Sequence, residues 1–183
     1  MRGKEFDAKF APISFIDLEM TGLEAIKHEI LEIGLVKIGQ PGLEIIETWE
    51  VKVRPEHLEN ADPEALKISG YDPEKWREAL TLTEAIKLLA EKTQNTVLSG
   101  WNVSTDYAFL DAAVTKTGIN LDFYKRVLEV NSYAHAKLGY HWGEFGLSSL
   151  TKSLGISFEN QHTALADAMA CYKIYKKLAS PQS

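Results

Sequence analysis

Ile13-Ser14-Phe15-Ile16-Asp17-Leu18-Glu19-Met20-Thr21-Gly22 is an apolar run that ends in two acids and a turn. The apolar residues predict a buried strand over Ile13 to Leu18, and Thr21-Gly22 breaks it. Side chains two apart on a strand leave the same face, so Asp17 and Glu19 point the same way. Leu18 lies between them and Ile13, Phe15 and Ile16 precede them, which marks the strand as central. Two unpaired carboxylates at the end of a central strand are costly, and a divalent cation between them removes that cost.

Working outward, Ile30 to Ile38 is apolar on both faces, as a strand inside a covered sheet should be. Gly39-Gln40-Pro41-Gly42 is a turn. Beyond it Trp49, Val51 and Val53 alternate with Glu50, Lys52 and Arg54, predicting a third strand with one wet face that Pro55 stops. Glu56 to Ala79 is polar and interrupted by Pro63 and Pro73, which predicts short helices wrapping the edge. Thr81 and Glu84 form a capping box before a helical stripe of Leu82, Ala85, Ile86, Leu89 and Ala90. Thr96 to Gly100 reads as a strand. Ser104 or Thr105 should then cap a helix running through Thr117, with Gly118 as its stop. Arg126 to Val130 is a fifth strand, and helices are expected at Ser132–Leu138, Leu147–Leu154 and Thr163–Leu178. Strands first, then helices alternating with strands, imply an α/β domain with a mixed sheet flanked by helices.

Length and composition set bounds. At 183 residues the chain is expected to be one domain over 1–183, with its core at about 13–178 and flexible termini. No apolar run approaches the ~20 residues that span a bilayer. One cysteine, Cys171, excludes an intrachain disulfide, and residues Met1 to Phe10 are charged and lack an apolar stretch. A cytoplasmic protein is the expectation. The net charge of −6 argues against a long phosphate-binding surface. Setting several acids aside as metal ligands leaves the rest nearly balanced, so an enzyme that grips a few nucleotides is compatible with it.

Two more patches complete a constellation. Asn102 and Asp106 follow the fourth strand, with Asp106 in the first turn of its helix. His162 and Asp167 stand five apart, which inside one helix would turn them roughly 140° from each other. They share a site only if His162 lies on the loop before the helix and Asp167 on its second turn. Ala164, Ala168 and Cys171 are small and would let that helix come close to the sheet. Four carboxylates and one imidazole gathered in this way suit divalent cations and activation of water. His28, His57, His135 and His141 read instead as surface or packing residues.

The motifs resemble those of the DEDDh 3′→5′ exonucleases, the DnaQ-like group that includes RNase T and oligoribonuclease. Asp17-Leu18-Glu19-Met20-Thr21-Gly22-Leu23 is similar to the first motif. Gly100-Trp101-Asn102-Val103-Ser104-Thr105-Asp106 with Phe109-Leu110 is similar to the second, and His162-Thr163-Ala164-Leu165-Ala166-Asp167-Ala168 to the third. The resemblance implies an RNase H-like fold with a five-stranded mixed sheet containing one antiparallel strand. It implies two Mg2+ or Mn2+ ions, ~3.5–4 Å apart in such sites. Asp17 would bridge them, Glu19 and Asp167 would complete the first site, Asp106 would hold the second, and His162 would be the general base. Met20, Thr21, Gly22, Leu23, Asn102 and Phe109 would touch substrate, Leu23 as a wedge between bases. The implied partners are single-stranded DNA or RNA 3′ ends, with a polymerase or a second copy of the chain as protein partners and no membrane. The departures are Met20, where many members have Thr although the oligoribonuclease branch also has Met, Trp101, where a His is common, and Asn131, where an Asp is common. Oligoribonuclease activity on very short RNA is one alternative, and a non-catalytic module docked on a polymerase is another.

Overall fold

The computed structural model describes residues 5–139, 146–159 and 162–179. Its strands are β1 (Ile13–Met20), β2 (Ile30–Ile38), β3 (Ile45–Lys52), β4 (Val97–Gly100) and β5 (Leu128–Glu129), and they form one sheet in the order β3-β2-β1-β4-β5. β2 runs antiparallel to both neighbours, while β1, β4 and β5 pair in parallel. The expected mixed sheet with one antiparallel strand is therefore present. β1 is central and β2 is buried on both faces, as their sequences require.

The helices are α1 (Pro63–Ile68), α2 (Leu82–Thr93), α3 (Ser104–Thr117), α4 (Val130–Leu138), α5 (Leu147–Ser153) and α6 (Ala164–Ala179). They cover the two faces of the sheet with two cores. Ile16, Leu18, Ile33 and Leu98 pack against Ile86 and Leu89 of α2 and Phe109 and Leu110 of α3. Ile13, Phe15, Val36 and Ile38 pack against α4, α5 and α6 through Ala134, Leu150, Ala168, Cys171 and Ile174. Each fully buried large apolar side chain contributes ~1.5–3 kcal/mol. Alternation along β1 then places Asp17 and Glu19 on the same face as Phe15, the face covered by α6.

The sequence reading is corrected in three places. β3 begins at Ile45 and not near Trp49, because Ile45 and Ile46 lie exposed on the sheet edge and carry no alternation signal. β5 has two residues instead of five, since it pairs with β4 only at Leu128 and Glu129. Neither Ser104 nor Thr105 caps α3. Val103 occupies the cap position without a side-chain bond, and the carboxylate of Glu129 takes the N–H groups of Asn102 and Val103, both at 3.1 Å. The capping box of α2 forms as expected between Thr81 and Glu84. Expected fraying at the termini and the reading of His141 fall outside the described residues.

Candidate metal centre

Register builds the site. Across β1 and β2, Asp17 lies opposite Gly34 and Glu19 opposite Glu32. Directly opposed residues share a face, so this end of the sheet presents acids toward α6 and needs room for its backbone. Gly34 supplies the room. A Cβ there would stand 2.1 Å from the carbonyl carbon of Ala164 and 2.2 Å from Leu165 N. With Ala164 and Ala168 fully buried beside it, the start of α6 rests directly on β2. Asp167 lies in the first turn of α6, one turn earlier than its spacing from His162 suggested, because the helix starts at Ala164, and it thereby reaches Asp17 and Glu19. One oxygen from each of these three carboxylates lies within 4.8 Å of the others.

Asp106 lies outside this trio, although its charge is the largest acting on Asp17. It is buried in the first turn of α3, and its Oδ1 accepts the Leu18 N–H at 3.0 Å. The cause is local. β4 pairs with β1 only from Ile13 to Phe15, so the edge of β1 beyond that point lacks a strand partner, and Asp106 fills the gap.

Crowded acids in a dry site resist ionisation. Burial, then the charges of Asp106, Asp167, Glu19 and Glu32, hold the Asp17 carboxyl well above the usual carboxylate range. Burial, then Asp167, Glu32 and Asp106, push Glu19 up to about 7. Burial pushes Asp106 up to about 7 against the opposing bonds from its own and Leu18 N–H. Burial raises Asp167 too, resisted by the N–H and the charge of His162. Burial also raises the Cys171 thiol, which stays protonated as a core residue, in keeping with its sequence reading.

His162 sits on the turn before α6, as the five-residue gap requires. It is exposed, in a left-handed backbone conformation (φ 66°), and its N–H reaches Asp167 Oδ1 at 3.4 Å. Met20 is half-buried against the core of the α2–α3 face. Thr21 is buried and exchanges two bonds with Glu29, while the His28 ring lies over Gly22. Leu23 is 80% exposed. Phe109 belongs to the core and also lines a cavity of about 760 Å³ between α3 and the turn after Leu23, floored by Ile30, Val53 and Leu82 and edged by Lys27, Arg54 and Lys116. Asn102 accepts a bond from Asn131 Nδ2 at 2.8 Å, a contact an aspartate at 131 could not donate. His28 and His57 make local contacts and His135 is buried, in line with the surface and packing roles read from the sequence.

Two residues were missed. Glu129 pins the loop before α3 and the start of α4, where Asn131 N–H donates to it at 2.9 Å. Glu32 is 2% exposed, accepts Ala164 N–H at 3.0 Å and pairs with Lys52 at 3.1 Å. Its one signal was an acid with apolar neighbours on both sides in the strand.

The sequence profile of the RNase T exonuclease family matches residues 14–175. The chain belongs to that exonuclease family. The DEDDh resemblance read from the motifs agrees with this membership. The DNA polymerase III PolC-type of Latilactobacillus sakei subsp. sakei (strain 23K) is 31% identical over 163 residues, which are 87% of this chain and 11% of that protein. The PolC-type polymerase of Thermotoga petrophila is 25% identical over 177 residues, 96% and 12% of the two. The exonuclease domain thus spans about a tenth of the length of these relatives. Among solved structures, E. coli exonuclease I in complex with a dT13 oligonucleotide superposes with a TM-score of 0.79 at 21% identity, covering 94% of this chain and 42% of that one. The nuclease domain of 3′hExo, a DEDDh family member bound to rAMP, superposes with a TM-score of 0.76 at 21% identity, covering 95% and 94%. These likenesses show a shared fold. Among the described residues no helix is long and apolar enough to cross a membrane.

Proposed function

We propose that the protein is a 3′→5′ exonuclease that removes nucleoside 5′-monophosphates from single-stranded DNA or RNA with two Mg2+ or Mn2+ ions. The observation that carries this reading is the convergence of Asp17, Glu19 and Asp167 within 4.8 Å. An all-carboxylate donor set suits hard divalent cations. The raised proton affinities of the same acids mark a place short of positive charge.

When bound, two such cations activate water and offset charge on the scissile phosphate. Asp17, Glu19 and Asp167 would supply oxygens for one ion, and Asp106 with Asp17 would hold the other. His162, exposed and tied to Asp167, takes the proton of the attacking water. Leu23 projects into solvent and wedges against terminal bases, with Met20, Thr21 and Gly22 shaping the turn that carries it. Phe109 forms part of the wall, and Asn102, held by Asn131, orders the approach to Asp106. Base contacts of this kind stack on any sequence.

The PolC-type relatives support a setting beside a polymerase, and the dT13 and rAMP complexes of the structural neighbours support both DNA and RNA as substrates. A cytoplasmic location and a single-domain organisation belong to the same reading. Asp17→Asn is expected to abolish Mg2+-dependent release of 5′-monophosphates. Turnover at wild-type level in that variant would overturn the assignment. Assays on a short DNA strand, a short RNA strand and an RNA dinucleotide decide between general exonuclease and oligoribonuclease activity. Inactivity of the wild type on all three with Mn2+ would favour a docking module.

A further inference from the structure

We propose that Glu32 is a positioning residue that fixes Asp167 in register with Asp17 and Glu19, a role that rests on the exonuclease reading above. Three neighbouring facts on β2 carry it. Glu32 sits opposite Glu19 on one side and Lys52 on the other, in one row across β1, β2 and β3. Its two oxygens are separately engaged, Oε1 by the Ala164 N–H at 3.0 Å and Oε2 by Lys52 Nζ at 3.1 Å. Two residues along the same face, Gly34 leaves the space in which the backbone of Ala164 and Leu165 lies.

Glu32 gives the bond and Gly34 gives the contact distance. Together they set the height of the first turn of α6 above the sheet, and Asp167 follows Ala164 by three residues, within that same turn. A buried acid beside other acids is otherwise unfavourable. Here the N-terminal dipole of α6 and the Lys52 ammonium offset its charge. Glu32 holds the start of α6, the helix that carries Asp167, and so acts on the trio through that helix.

The test contrasts two mild substitutions. Glu32→Gln keeps an oxygen for the Ala164 N–H and loses the charge. Glu32→Asp keeps the charge and falls short by one methylene. Positioning predicts that Glu32→Asp lowers kcat and raises the Mn2+ concentration for half-maximal activity by ~10–100-fold, with KM for oligonucleotide nearly constant, and that Glu32→Gln retains most of both. The reverse order, with Asp active and Gln dead, would make Glu32 a ligand and overturn the proposal. So would equal activity of both variants with only the melting temperature lowered. Amide hydrogen exchange on the metal-free protein gives a reading independent of activity. The Ala164 amide should exchange faster in Glu32→Asp than in wild type, and unchanged protection would overturn the proposal. If wild type proves inactive, the exonuclease reading fails while the exchange result still judges the positioning role.

Discussion

Helix α6 places Asp167 among the oxygens of Asp17 and Glu19, all within 4.8 Å, whereas α3 turns Asp106 onto the Leu18 N–H at 3.0 Å. The two helices cover opposite faces of the sheet, and each brings an acid to the same end of β1. On the α6 face the acids meet one another, so their mutual repulsion is relieved only by protons or a cation. On the α3 side the acid has already found a backbone partner. The trio is therefore a set of carboxylates facing one another, and Asp106 a carboxylate already bonded to backbone. Both helices are held at their starts by a glutamate from a neighbouring strand, Glu32 for α6 and Glu129 for α3.

Substitutions should separate the two sides. After Asp17→Asn, the largest effect is expected from Asp167→Asn, which removes a carboxylate from the trio and should cut turnover by ~10³-fold or more, each 1.4 kcal/mol being tenfold. Calorimetric titration with Mn2+ should show weakened binding in that variant, and unchanged binding would break the distinction drawn between the helices. His162→Ala should slow turnover by ~10²–10⁴-fold while Mn2+ binding holds. A variant that lost its metal instead would reassign His162 as a ligand.

Asp106→Asn sharpens the contrast further. The amide oxygen can still accept the Leu18 N–H, so folding should survive while turnover falls by ~10²-fold through loss of the second position. Asp106→Ala should in addition cost ~1–3 kcal/mol of stability, because the Leu18 N–H loses its partner. Equal stability of the Asn and Ala variants would show that the bond holds nothing.

The acids also set a pH dependence. Glu19 and Asp106 titrate near 7 in the metal-free fold, above ordinary carboxylate values. The folded state then binds protons that the unfolded state has released, so stability falls as pH rises from about 4 to about 7. A loss on the order of 2 kcal/mol is expected between these limits, after allowance for water reaching the site. Thermal melts of metal-free protein should show it, and added Mg2+ should raise the melting temperature more at pH 8 than at pH 5. A melting temperature that climbed with pH would contradict the sign. The smallest effect belongs to Leu23→Ala. With the side chain in solvent, stability and kcat should hold while KM for oligonucleotide rises ~3–10-fold.

Much of this was readable in the sequence where signals are local. Alternation along β1 gave the shared face of Asp17 and Glu19, and the five-residue gap gave the loop position of His162. The small residues of α6 announced its close approach to the sheet. What was not readable depends on partners far along the chain. The bond from Ala164 to Glu32 links residues 132 apart, and that from Leu18 to Asp106 links residues 88 apart. Neither leaves a periodic trace, so Glu32 passed as one acid in an apolar strand. The hold of Glu129 on the loop before α3 was hidden in the same way, because Ser104 and Thr105 offered a plausible local cap that the structure does not use.

The most direct measurement is anomalous diffraction at the manganese edge from crystals soaked in Mn2+. The expected result is a peak among the carboxylates of Asp17, Glu19 and Asp167, lost in Asp17→Asn. No peak there at a Mn2+ concentration that saturates activity, or a peak unmoved by Asp17→Asn, would contradict the assignment of this end of β1 as a metal centre.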